Sequence, residues 1–426
     1  MVRTKVRPIG KAHAVDSVRR AADTASMGHA VPTGIPVLDV DPFSEDFQRD
    51  PDSFHERIRD AGPVVFLERY GVWAVGRYAE VHEVLRDHGR FGSAAGVGLA
   101  NFRREEPWRP PSLLVEADPP AHTRPRRITA RVMSPRTLEG LRPEFERQAD
   151  ELVGAVVARG RFDGVADLAR AYLLRVFPGA VGLDPGGGEK LLRYGDMAFN
   201  LFGPRNRLSQ EAMALGMPLH EWFTEQCQRG ALAPGGLGAA FYAAVDRGEA
   251  TEDEAGMLVR AVISAGLDST IEAIAWTLYL FATCHGEWAA LRDDPALVRP
   301  AFEEALRYYP PISLFFRTTT REVRLADAVI PADEKVLCFL GAANRDPRHW
   351  AAPDRFDIRR RASAHLAFGT GIHACVGAAI ARLEAECLLS ALVRQVRSLE
   401  LVGPPRPRFN NHLRALATLP LQVQAA

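Results

Sequence analysis

No stretch of this chain is apolar for long enough to cross a bilayer. Its first residues, MVRTKVRPIGKAHAVDSVRRAADTASMGHAVPTG, are polar and basic, which excludes a signal-peptide core or a membrane anchor there. An Arg-rich, acid-poor start also resembles an organelle transit peptide. A surplus of one charge is missing too. The 53 basic residues balance 53 acidic ones, so nothing points to nucleic acid and no charge block reads as a tail. Cysteine is scarce and odd in number: Cys227, Cys284, Cys338, Cys375 and Cys387 match no disulfide framework or zinc spacing. That fits a reducing cytoplasm, with most of these thiols buried and ordinary. No fixed-period repeat is present.

What is present is ample apolar material, 47% of 426 residues, enough for a large core. Length alone does not choose between one domain and two. The Gly/Pro breaks at Asp184–Gly188 and Ala233–Gly238 are too short for domain linkers and read as surface loops. We expect residues 1–34 to form a flexible extension and residues 35–426 a single domain.

Helical spacing of apolar residues recurs over Ala79–Asp87, Pro135–Arg159, Leu191–Phe202, Met213–Arg229, Thr251–Cys284, Leu297–Tyr309 and Val376–Val396. Strand signals are fewer. Val64–Leu67 and Val72–Val75 flank a turn and predict a hairpin, and Val323–Leu325, Val329–Ile330 and Val336–Leu340 predict further short strands. The expected body is mainly α with small β-sheets to one side. The Thr251 helix opens on a capping-box pattern with Glu254. If continuous to Cys284 it spans roughly 50 Å at 1.5 Å per residue. Gly266, Asp268, Ser269 and Thr270 sit at its apolar centre. Polar groups there are either satisfied within the core or line a cavity at a local break.

Residues 368–382, FGTGIHACVGAAIAR, place three glycines and a cysteine just before a helix. A metal-binding cysteine must be a thiolate. Turn N–H groups and the positive helix end beside Cys375 favour that state. Gly369, Gly371 and Gly377 let backbone approach a flat ring. A buried thiol in a Gly-rich turn is the plainer reading. Zinc on His365, His373 and Cys375 lacks a fourth ligand. The absence of Cys-x-x-Cys-His gives no sign of covalent haem.

The run Phe368-Gly369-x-Gly371-x-His373-x-Cys375-x-Gly377-x-x-x-Ala381-Arg382 closely resembles the cysteine-ligand loop of the cytochromes P450. The resemblance implies their fold, a triangular prism with a long central helix over haem, and haem b ligated by Cys375. It implies that Phe368, Gly369 and Gly377 shape the loop. His122 and Arg126, in DPPAHTRPR, with Arg317 in FFRTTTRE and His373, would hold the propionates. Glu304 and Arg307 would brace the loop with Arg360, or else with Arg355. Ala265-Gly266-Leu267-Asp268-Ser269-Thr270 resembles the family's acid–alcohol motif. There Asp268 would gate protons, a hydroxyl of Ser269 or Thr270 would hold dioxygen and water, and Gly266 would let the helix bulge. Ser269 stands where threonine is usual, and loses the methyl that restricts its rotamer, so more uncoupling to peroxide is expected.

Residues from about Pro36 to Leu421 resemble the bacterial monooxygenases of para-substituted benzoates, notably through Gly96–Arg126, EQCQRGALAPGG, FFRTTTRE and RFNNHLRAL. That resemblance implies a small aromatic carboxylic acid as substrate, O-demethylated as 4-methoxybenzoate or hydroxylated as 4-alkyl benzoates or cinnamates. Arg109, Ser112 and Arg260 would bind its carboxylate. Phe199, Phe202, Ile312 and Phe315, with Val115, Ser264 and Ala265 nearby, would wall the ring. Ala261 replaces a serine usual in the subfamily, which removes one hydrogen bond to the acid. Such a site needs charge-assisted donors at one end and flat apolar walls at the other. Electrons would come from NAD(P)H through a reductase and a ferredoxin, since the chain carries no flavin or iron–sulfur pattern. Arg345, Arg348, Arg359 and Arg361 are candidates for the ferredoxin face. Alternatives of two kinds stay open, with turnover and without. One is oxidation of another small aromatic substrate or a peroxide-driven peroxygenase. The other is a haem-thiolate sensor or storage protein without turnover.

Overall fold

The computed structural model describes residues 32–426. The expected extension over residues 1–34 lies outside them except for its last three residues. Among the described residues no helix is long and apolar enough to cross a membrane.

Helices dominate, and local chemistry sets where they start and stop. Thr251 Oγ1 accepts from the Glu254 N–H while Glu254 Oε2 accepts from the Thr251 N–H, the reciprocal cap anticipated from sequence. The long helix is interrupted, however. Glu252–Gly266 and Asp268–Thr283 meet at Leu267, whose backbone (φ −91°, ψ −68°) leaves the helical ladder. Three other expectations need correction. Pro218, which lacks an N–H, divides Met213–Arg229 into Arg207–Gly216, a short 3-10 turn at Met217–Leu219 and His220–Gln226. Pro135–Arg159 is two helices, Pro135–Glu139 and Arg142–Arg159, parted by Gly140 and Leu141. The Ala233–Gly238 segment is not loop throughout, because a helix starts at Leu237.

The predicted hairpin forms, with Val65–Leu67 antiparallel to Val72–Val75. It joins a six-stranded sheet whose order is Val37–Leu38, Val65–Leu67, Val72–Val75, Lys335–Phe339, Leu314–Thr319, Phe91–Gly92. A three-stranded sheet pairs Val396–Leu401 with Pro420–Ala425 and that strand with Arg161–Asp163. The ribbon Arg406–Arg408 with Ala415–Thr418 completes the part that matters for the site. One large apolar core fills the helical body, and two smaller cores pack against the main sheet.

Candidate active site

The glycines of the Cys375 loop answer to specific needs. Gly369 and Gly371 hold φ of +64° and +73°, which side chains avoid, and a Cβ on Gly371 would stand 3.0 Å from the Arg86 backbone. The loop closes when the Cys375 N–H donates to the Phe368 carbonyl at 2.7 Å, and Ala378–Gln395 follows as a helix. Cys375 itself is exposed by surface area yet ringed by protein as densely as a core residue, the mark of a side chain facing an internal void. Burial pushes its thiol up. The Gly377 and Ala378 N–H groups and the guanidiniums of Arg126 and Arg382 pull it down. These are the groups that stabilise a thiolate.

Beside this loop lies a corner short of negative charge. His122 and His373 stand with ring centroids 4.5 Å apart, and Nε2 of each is buried without a hydrogen-bond partner. His373 Nδ1 lies 3.2 Å from the Leu114 carbonyl. Burial, then the charges of His373 and Arg126, push the His122 imidazole down to about 4. Among the described residues Arg126 hydrogen-bonds only the Ala374 carbonyl, at 2.6 Å, and buried Arg317 only the Phe316 carbonyl, its Nε left unpartnered. Among the described residues neither guanidinium has a carboxylate within 4 Å. Among the described residues Asp118 is the one acid paired with this group, 3.5 Å from His373 Nε2. Buried cations without partners are costly, so an anionic ligand is what these side chains lack. The carboxylates of a haem fit that need, and the free thiol supplies an iron ligand.

Behind the loop, Glu304 and Arg307 form a fully buried bidentate pair at 2.7 and 2.8 Å. Arg360 reaches Glu304 at 3.0 Å, whereas Arg355 contributes its carbonyl to Arg307 and Arg360.

On the long helix the accessible positions form a stripe. Arg260, Ala261, Ser264, Ala265 and Ser269 are open among buried Val262, Ile263 and Leu267. Ser269 Oγ donates to the Ala265 carbonyl at 2.9 Å. Thr270 is buried, and its hydroxyl, like that of Ser269, donates to the carbonyl four residues earlier, here that of Gly266 at 3.2 Å. The helix breaks directly after Gly266, where a bulge was expected. A Cβ there would fall 2.2 Å from the Phe177 ring, so the glycine accommodates close packing, and the break itself is at Leu267. Asp268 is buried, and burial pushes its carboxyl up to about 7, with Arg408 opposing.

The proposed ring walls do come together. Phe199 packs with Leu413, Phe202 and Ile312 in one apolar cluster. Phe199, Phe202 and Phe315 all face His412, at 6.0, 4.8 and 5.7 Å between centroids. Val115 packs instead against the main core. At the other end, Arg109 is not free. Glu116, buried, binds it bidentately at 2.7 and 3.3 Å and also accepts from the Ser112 N–H. The Ser112 hydroxyl accepts from Leu114 and Val115. Arg260 donates to the Pro110 carbonyl at 2.7 Å and, among the described residues, has no carboxylate within 4 Å. Burial and the charge of Arg109 both disfavour its own charge, while Glu116 favours it. Glu116 thus pairs with Arg109 alone and acts on Arg260 only through its charge at longer range.

Sequence reasoning gave no role to Glu116 or His412, although both lie in segments it singled out. Loop spacing carries no rule for such pairings. Of the four arginines offered for redox docking, Arg345 and Arg348 are engaged by Asp52, Asp354, Asp346 and Asp60, while Arg359 and Arg361 are exposed.

Comparison with known proteins agrees with this geometry. The cytochrome P450 family model matches residues 237–425. The chain is 52% identical to cytochrome P450 CYP199A2 of Rhodopseudomonas palustris over 394 residues, 92% of this chain and 96% of that one. Among solved structures, CYP109Q5 from Chondromyces apiculatus matches with a TM-score of 0.76 and 30% identity over 91% of this chain and 99% of that one. Cytochrome P450 CREJ in complex with (4-ethylphenyl) dihydrogen phosphate matches with a TM-score of 0.80 and 26% identity, covering 90% and 99%. Members of the family bind haem b through a cysteine thiolate and, as monooxygenases, use dioxygen and redox partner proteins. A thiol at the head of a helix, a corner wanting anions and a match over nearly the whole chain make this protein a member of the cytochrome P450 family, a haem-thiolate monooxygenase.

Proposed function

We propose that residues 35–426 form one catalytic domain that oxidises para-substituted benzoic acids, O-demethylating 4-methoxybenzoate and hydroxylating 4-alkyl analogues. Cytoplasmic ferredoxin and its NAD(P)H-dependent reductase would supply the electrons. The observation that carries this reading is the charge imbalance at Arg109, Arg260 and Glu116. One positive charge is left over at this end, and an aromatic carboxylate would supply the missing charge and a flat ring for the separate apolar cluster of Phe199, Phe202 and Ile312. A relative of the same fold was solved with an aryl ligand carrying a para alkyl group and an acidic head.

Each side chain then has a task. Cys375 ligates the iron, and His122, Arg126, Arg317 and His373 hold the propionates. The bound haem supplies dioxygen activation. Arg260, with the Arg109–Glu116 pair behind it, anchors the carboxylate, and Phe199, Phe202, Ile312 and Phe315 flank the ring. Anchoring one end of a rigid ring fixes the distance of the other, so the para substituent is delivered to one place. Asp268 supplies protons to the oxygen side, and Ser269 positions them. Arg359 and Arg361 contribute to a face for an acidic ferredoxin.

Spectral titration tests the reading. 4-Methoxybenzoate is expected to shift the haem towards high spin, and its methyl ester to bind at least tenfold more weakly, as expected from one lost charged hydrogen bond of about 1.5–3 kcal/mol. A shift with the ester but none with the acid would contradict the carboxylate assignment.

A further inference from the structure

Residues 93–101 form no helix or strand, yet most of them are buried. Buried irregular backbone must find partners for its polar groups elsewhere in the fold. Here they come from distant parts of the chain. Asp118 accepts from the Ser93 and Ala94 N–H groups at 3.0 and 2.9 Å. The Val97 carbonyl accepts from the Phe316 N–H at 3.1 Å, and the Leu99 N–H donates to the Phe202 carbonyl at 2.8 Å. The Asn101 side chain donates to the Asp333 carbonyl at 3.3 Å.

Lys335 holds the middle of this segment. It lies on the interior strand Lys335–Phe339 and is buried. Its Nζ donates to the Ala95 and Gly96 carbonyls at 3.1 and 2.7 Å. Among the described residues the Gly96 carbonyl has no other protein donor. Burial pushes the ammonium down to about 7, with Glu105 and then Glu116 opposing. Either protonation state keeps two N–H donors for the two carbonyls.

The segment touches both sides of the ring pocket. A Cβ on Gly98 would fall 2.5 Å from the Phe202 carbonyl, so backbone packs directly on backbone there. Val97 is bonded to the strand residue next to Phe315. Residues 93–101 are thus a strap between Phe202 and Phe315, with Lys335 behind it. We propose that Lys335 is a positioning residue for the substrate. It fixes the strap, the strap fixes the spacing of Phe202 and Phe315, and that spacing confines oxidation to the para position of the ring. The proposal rests on the reading of those two phenylalanines as ring walls. A ring free to tilt between loosened walls presents its meta substituent as well as its para one.

The test compares the holoenzyme of the wild type with Lys335→Met and Lys335→Arg. Methionine is close to lysine in volume and removes a buried charge, so folding and haem binding should survive. Hydrogen exchange over residues 93–102, read by mass spectrometry, should speed about tenfold or more in Lys335→Met. Exchange in the Arg142–Arg159 helix should stay as it was. In the wild type, product formed per NAD(P)H consumed should favour 4-methoxybenzoate over 3-methoxybenzoate. Lys335→Met should lower that preference several-fold, while its affinity for 4-methoxybenzoate, set at the carboxylate end, changes far less. Lys335→Arg, which keeps charged donors, should retain more of the preference than Lys335→Met. Unaltered exchange of the strap in Lys335→Met, or a preference equal to wild type, overturns the role of Lys335. A wild type that gives no high-spin shift with 4-methoxybenzoate would instead overturn the ring-wall reading beneath it, and the exchange measurement would still decide whether Lys335 fixes the strap.

Discussion

Glu304→Gln should cost the folded protein about 3–5 kcal/mol, as expected when one partner of a buried ion pair is removed. Glu304 is fully buried, and among the described residues it alone ion-pairs with Arg307 and Arg360. The amide keeps the shape but leaves two enclosed guanidiniums with backbone carbonyls as their remaining partners. Arg360 is the more accessible of the two bases, so Arg360→Gln should cost distinctly less. Guanidinium denaturation followed by far-UV dichroism and by haem retention would show both effects. A Glu304→Gln midpoint equal to wild type would mean that the cluster does not brace the loop.

Arg109→Leu is expected to weaken 4-methoxybenzoate binding on the order of 100-fold, from the loss of a charged partner worth about 1.5–3 kcal/mol. The structure adds a second reason. Without Arg109, the buried Glu116 carboxylate loses its counter-ion and faces the incoming acid with the same charge. The double variant Arg109→Leu/Glu116→Gln should therefore bind the acid better than the single one, because Arg260 then faces it unopposed. Spectral titration of wild type, both singles and the double closes the cycle. A double variant as weak as Arg109→Leu would show that Glu116 does not act against the ligand.

How far the sequence reached depends on whether a rule links the residues concerned. The Cys375 loop was legible because its whole run, Phe368 to Arg382, resembles the cysteine-ligand loop of the cytochromes P450, and the positive φ of Gly369 and Gly371 explains two of its glycines. The Glu304–Arg307 pair was legible because a spacing of three shares a helix face. The same reasoning extended by one residue would have joined Asp268 to Glu272. The hairpin at Gly71 and the cap at Thr251 followed from local chemistry.

What stayed hidden was set by tertiary contact. A break at the centre of the long helix was anticipated next to Gly266, but not that Leu267 would make it. Ala171–Val181 is a helix although Pro178 sits inside it. Leu314–Thr319, which carries Arg317, is an interior strand of the main sheet that was not read as one. Glu116 against Arg109, and Arg408 against three acids, join segments for which no spacing rule exists.

The account stands on sulfur ligation of iron by Cys375, and the carbon monoxide spectrum of the reduced protein measures it directly. The wild type should show the strongly red-shifted Soret band of a thiolate-bound haem, and Cys375→Ala should lose that band. A wild-type spectrum typical of imidazole-bound haem, or a band that survives Cys375→Ala, would contradict it.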